Sequence, residues 1–213
     1  MKFRQVILLK GRKQLLFPDP QSIGWRSMVL KTKEMVYAAL FAALIAVLGM
    51  IPAIPLGFIP VPITLQTLGV MLAGGFLGKK TGALSLILFI VLVAIGLPIL
   101  AGGSGGLAPL VGPTAGYIFS WPIAAFFIGW ASEKVWPRLK TWKLIAINVV
   151  FGVILINLIG APVMALITHT PVWPGLAASA VFLPGDLIKA VLAAIVAVQA
   201  RAVSPIEEKV HGA

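Results

Sequence analysis

The sequence predicts an all-α, polytopic integral membrane protein with six transmembrane helices and both termini in the cytoplasm. Three observations carry this. Of the 213 residues, 60% are apolar before the 22 glycines are added and 11% are charged; soluble domains average roughly 45–50% apolar with glycine included and ~25% charged. A soluble fold of this size cannot hide so much apolar surface, because over half of its accessible area still faces water. Second, from Met35 onward the chain divides into six apolar stretches, each near the ~20 residues that cross a bilayer. Third, 16 of the 17 Lys and Arg residues fall on one side of a six-span topology, as cytoplasmic retention of positive charge requires. The net charge of +11 is therefore an orientation signal, and no nucleic-acid partner is expected. The absence of cysteine excludes disulfides, thiol catalysis and Cys-ligated metal.

Residues 1–34 carry eight of the basic residues and Pro18-Asp19-Pro20. The apolar run Val6–Leu9 is shorter than the ~7–15 residues of a signal-peptide core. The segment reads as a basic cytoplasmic arm: either a poorly ordered tail, or an upstream extension of residues 1–27 before a start at Met28. The membrane domain spans residues 35–203, and residues 204–213 form a cytoplasmic tail. The predicted helices are Met35–Ile51, Ile63–Leu77, Gly82–Leu100, Pro113–Ala131, Leu144–Thr168 and Pro184–Val203. The second is short and spans only by extending into its flanks. The sixth is started at Pro184 because proline is favoured at the first helical position, where its missing N–H costs nothing. Val172–Leu183 then becomes a connecting segment at the membrane surface, with Trp173 as an interfacial anchor. Lys79-Lys80, Lys134–Lys143, Arg201 and Lys209 face the cytoplasm with the arm, and the outer connections 52–62, 101–112 and 169–183 contain no Lys or Arg.

The exception is Lys189. With Asp186 it forms the only charged pair inside a helix and away from the cytoplasmic ends. Charged groups there cost roughly 2.5–3.5 kcal/mol on insertion scales and mark function by default. The i, i+3 spacing puts both on one helix face, and Asp186 in the first turn is favoured by the helix dipole. A plain neutralising pair that locks helix six is the structural alternative. Thr64, Gln66 and Thr67 on helix two, Thr114 and Tyr117 on helix four, and Asn157 on helix five converge on the same outer half. Asn148, Ser85 and Gln199 lie on the inner side. A lone polar residue in a membrane helix is usually packing glue; several that converge with an ion pair describe an outward-facing pocket. The glycine-rich external run Gly102–Gly106 reads equally as a loop that closes on a ligand or as a flexible connector.

Gly102-Gly-Ser104-Gly-Gly106 also matches the hydrolase pattern G-x-S-x-G, so an intramembrane serine hydrolase or protease centred on Ser104 is the alternative function. It lacks a base, because the histidines are His169, beside an outer loop, and His211, in the tail. Gly78-Lys-Lys-Thr81 lacks the spacing of a P-loop, and no His/acid cluster suits a metal. No catalytic residue, metal or cofactor is expected. Ala38, Ala42 and Ala46 recur every four residues on helix one, beside Ala39 and Ala43. Such a face lets another helix approach closely, from within the chain or from another membrane subunit.

Pro62-Ile-Thr64-Leu-Gln66, Leu72-Ala-Gly74 through Gly78 and Gly82, Gly96-Leu-Pro98 with Ala101-Gly-Gly103, Gly112-Pro-Thr114-Ala-Gly116-Tyr117 and Pro184-Gly-Asp186-Leu-Ile-Lys189 together resemble the BioY family. These are the biotin-specific S components of energy-coupling factor (ECF) transporters. The resemblance covers about residues 35–203, with the motifs in the same order. It implies a six-helix bundle in the cell membrane that is not an enzyme and binds biotin from outside. It implies a membrane T component and two cytoplasmic ATPases as partners, although some members act without dedicated partners or through self-association. It further implies docking on the T component through an Ala-x-x-x-Ala face, here Ala38, Ala42 and Ala46. Biotin is then the transported ligand: Asp186, Asn157, Gln66 and Thr114 would satisfy its ureido ring, Lys189 its carboxylate, and Tyr117 would pack its thiophane ring. The loop Ala101–Gly106 is denser in glycine than the family pattern.

Overall fold

A computed structural model describes residues 32–57 and 59–206. Among these residues there is no β-strand, only two isolated bridges, and six long helices dominate. They are α1 (Thr32–Met50), α2 (Gln66–Leu77), α3 (Lys79–Ala94), α4 (Ala115–Val135), α5 (Thr141–Ile167) and α6 (Val172–Gln199). By length and hydropathy α1, α4, α5 and α6 can each cross a membrane. The shorter α2 and α3 are limited by their flanks. Pro60 and Pro62 keep the chain before α2 extended, in a hairpin whose Ile54 and Ile63 exchange two 3.0 Å backbone bonds. Thr64 accordingly lies before α2, not on it. At the far end of α3 the chain leaves the helix at Gly96 (φ 102) and Pro98, earlier than the expected Leu100.

The largest departure concerns α6. Val172–Leu183 was expected as a surface connector, but the backbone stays helical from Val172 through Gln199. Pro184 sits inside this run. It has no N–H to give the Ala180 carbonyl, and the helix answers by tightening to a 3-10 turn at Ala180–Phe182. Asp186 is therefore not at a free helix N-terminus.

At the other chain ends, Thr32–Glu34 already belong to α1, while the remainder of the predicted arm lies outside the described residues. Ser204–Ile206, assigned to the tail, pack into the domain: Ser204 Oγ donates to the Phe76 carbonyl (2.6 Å), and Ile206 is fully buried beside Trp136, Leu144 and Ala197.

α4 is the hub, packing on α2, α3 and α5. Close approach is built from glycine. A Cβ on Gly129 would run into the backbone of Gly78 and Lys79, and one on Gly160 into the Tyr117 ring. Gly78 itself makes the α2–α3 turn at φ 82, a conformation that side chains disfavour. Glu133 on α4 secures that turn: it accepts the Lys79 N–H (3.0 Å) at the start of α3 and pairs with the Lys79 ammonium (3.1 Å). Two stretches wind as π-helix, Ala73–Leu77 in α2 and Asn148–Ile154 in α5. Such stretches recur at functional sites, and here they lie within the helices that carry Thr67 and Asn157.

Candidate functional site

A cavity of about 380 Å³ lies among the start of α2, the first turns of α4 and the middles of α5 and α6. The segments 60–64 and 100–114 complete its wall. This is the size range of small-molecule pockets. Asp186, Lys189, Asn157, Gln66, Thr114 and Tyr117 all line it, although they come from helices far apart in sequence.

The charged end is a closed cluster of three side chains. Lys189 Nζ donates to Asp186 Oδ1 (2.8 Å) and to Thr67 Oγ1 (3.0 Å), and Thr67 Oγ1 donates in turn to Asp186 Oδ1 (3.2 Å). Lys189 and Asp186 are 6% and 8% exposed at the side chain. Charges so buried persist only when paired and hydrogen-bonded. Lys189 is thus not a free cation. The pair is neutral overall and presents a donor and an acceptor side by side, which matches a neutral polar group better than a lone carboxylate.

Gln66 and Thr114 have structural duties. The Gln66 amide donates to the Ile99 carbonyl and accepts the Ala101 N–H, each at 3.3 Å. It ties α2 to the glycine-rich loop. Thr114 Oγ1 donates to the Pro109 carbonyl (2.9 Å), bracing the short helix Ala108–Val111. The loop is a built turn: Leu100 N–H bonds the Ser104 carbonyl, Gly106 N–H bonds the Val93 carbonyl, and Gly102, Gly103 and Gly106 hold positive φ. Ser104, the residue of the hydrolase alternative, lines the cavity with its hydroxyl donated to the Ala101 carbonyl (3.1 Å). His169 lies in the turn after α5, at φ 53.

Asn157 Nδ2 donates to the Val153 carbonyl (3.0 Å), which leaves its Oδ1 buried without a partner; Tyr117 Oη and Trp121 Nε1 are in the same condition. The Tyr117 ring meets Phe182 edge-on at 5.9 Å, and Trp121 packs on Phe89 at 6.0 Å. Thr67, expected among the converging polar residues but not as a partner of the ion pair, and Trp121, to which the sequence gave no role, both belong to the wall. Both carried a signal. Thr67 adjoins Gln66, and Trp121 lies one helical turn beyond Tyr117 on the same face.

The Ala38, Ala42 and Ala46 face turns toward the protein's own interior. Ala38 and Ala42 are 2% and 1% exposed, and Ala46 packs against the main core. This face is an internal contact, already covered by the chain itself. Ala39 and Ala43, in the adjacent register, are exposed.

With this geometry in place, likeness to other proteins is informative. Residues 21–205 match the model of the BioY family. The chain is 44% identical over 171 residues to a probable biotin transporter BioY from Bacillus subtilis, covering 80% of this chain and 91% of that one. It is 41% identical over 168 residues to the biotin transporter BioY of Lactococcus lactis, covering 78% and 89%. These relatives are transporters, not enzymes. A crystal structure of the S-component for biotin from an ECF-type ABC transporter superposes with a TM-score of 0.77 at 40% identity, over 80% of this chain and 92% of that one. A match over most of the chain, in sequence and in fold, places it without ambiguity: the chain belongs to the BioY family.

Proposed function

We propose that this protein is the biotin-binding S component of an ECF-type vitamin uptake transporter. It captures biotin from outside and releases it to the cytoplasm together with a membrane T component and two cytoplasmic ATPases. The observation that carries the reading is the buried Asp186–Lys189–Thr67 cluster in the cavity wall, in a chain 40% identical to a biotin S-component of known structure. The six helices span the plasma membrane with both ends inside. The positive charge supports that orientation, and α2 and α3 cross with the help of the hairpin and loop that extend them.

The cluster favours one orientation of the ligand. Biotin has a neutral cyclic urea at one end and a carboxylate at the other. A urea N–H fits the Asp186 carboxylate and the urea carbonyl fits the Lys189 ammonium, with no net charge buried. A carboxylate at Lys189 would compete with Asp186 for its cation and bury a net negative charge. The valerate chain therefore runs toward the segments 60–64 and 101–114, where Thr64 and Thr114 stand, and Tyr117 packs against the bicyclic ring. No cofactor is needed, since biotin is cargo. Docking on the T component falls to Ala39 and Ala43, which keep the four-residue spacing on the exposed face of α1. The deciding experiment is a titration of detergent-purified protein with radiolabelled biotin, with riboflavin and thiamine as competitors. Saturable binding displaced by biotin alone supports the reading, and displacement by either other vitamin refutes it.

A further inference from the structure

The cavity wall contains two buried polar atoms of fixed and opposite character that have no partner. Asn157 Oδ1 only accepts, since its amide nitrogen is held by the Val153 carbonyl, and Trp121 Nε1 only donates. Both residues line the cavity. Tyr117 packs on Gly160, so one turn further along α4 the antiparallel α5 presents Ile156 and Asn157 to Trp121. The Trp121 ring packs on Phe89, and that contact leaves the indole N–H without a partner.

We propose that Trp121 is a specificity-determining residue whose indole N–H donates to the ureido carbonyl of biotin. This rests on the biotin reading above. A cyclic urea has two N–H donors and a carbonyl with two lone pairs. Asp186 and Asn157 supply two acceptors. Lys189, with one N–H beyond those given to Asp186 and Thr67, supplies one donor, and Trp121 supplies the second. The set closes with each urea atom satisfied once per bonding position. Asn157 Oδ1 and Trp121 Nε1 are sealed from water, so each side chain must rotate slightly to reach the ligand. Relief of two unpaired buried groups drives that rotation.

The test compares biotin with 2-thiobiotin, in which a weakly accepting sulfur replaces the ureido oxygen, on the purified full-length protein. Trp121→Phe is expected to weaken biotin about tenfold, the scale of one lost hydrogen bond to a neutral carbonyl, and to leave 2-thiobiotin nearly unchanged. Equal weakening of both ligands, or weakening of neither, overturns the assignment. Phe89→Leu keeps the N–H and removes its ring neighbour, so it shows what a pure packing loss does to the two ligands. Benzothienylalanine at position 121 keeps the bicyclic shape without the N–H and gives the same readout if Trp121→Phe folds poorly. Wild-type protein that binds no biotin would instead refute the biotin reading itself.

Discussion

Lys189 and Asp186 form an ion pair of 2.8 Å, and both side chains are all but sealed from the surroundings. Breaking such a pair from one side leaves an uncompensated buried charge, which typically costs 3–5 kcal/mol, whereas removing both partners is far milder. Asp186→Ala and Lys189→Ala are each expected to weaken biotin at least tenfold and to lower the thermal transition. Combining Asp186→Leu with Lys189→Met should recover the transition and not the binding. Titration with biotin alongside a melting curve separates the two effects. Near-normal binding by both single variants would rule out the cluster as the site.

A second expectation concerns the glycine-rich loop. Gln66 holds it through two bonds, to Ile99 and Ala101, each worth about 0.5–1.5 kcal/mol net. Gly49 on α1 leaves just enough room for this contact, because a Cβ there would press on Gln66 Nε2 and the Ile99 carbonyl. Gln66→Ala and Gly49→Ala should therefore share a phenotype: faster amide exchange across residues 99–106 and biotin dissociation accelerated about tenfold or more. Unchanged exchange in Gln66→Ala would show that the loop is held by its own backbone bonds alone.

Much of this was legible in the sequence, for physical reasons that also explain the rest. Five of the six apolar stretches match helices to within a few residues at most ends, because hydrocarbon demands continuous apolar runs. Asp186 and Lys189 stood out because charge there is costly. The start of α6 did not, since a proline at the first helical position and a proline inside a helix read alike in sequence; only the tightened turn at Ala180–Phe182 tells them apart. The π stretches carry no residue signature. That the Gln66 amide also ties down the loop was not legible, because nothing local shows that Ile99 and Ala101 fold back on it. The alanine register on α1 was ambiguous, since Ala38 and Ala39 both begin four-residue repeats. Packing of Ala42 and Ile45 into the main core decided which one turns inward.

That register makes a third expectation sharp. Ala39 and Ala43 are exposed, and Ala38 and Ala42 are buried. Leu at positions 39 and 43 should leave biotin binding intact and abolish co-purification with the T component. Leu at position 38 or 42 overpacks the bundle, costs about 1–3 kcal/mol, and should show in the melting curve first. If the Ala39→Leu, Ala43→Leu double variant assembles normally, another face of the protein docks.

The last expectation tests how finely the cavity is shaped. Gly160 on α5 lies against the Tyr117 ring, and Tyr117 in turn meets Phe182, on α6 one turn before Asp186. Gly160→Ala places a methyl group where the ring now stands. The helices are close-packed on both sides, so the ring must swing toward the open cavity. Overpacking of this kind costs about 1–3 kcal/mol, here set against the space a ligand would fill. Gly160→Ala should therefore weaken biotin about tenfold or more. The double variant Gly160→Ala, Tyr117→Leu should regain part of that loss, because the smaller side chain clears the cavity. The comparison needs only the Kd values of the wild type, the two single variants and the double variant. Additive losses would mean that Gly160 acts through the α4–α5 backbone contact and not through Tyr117.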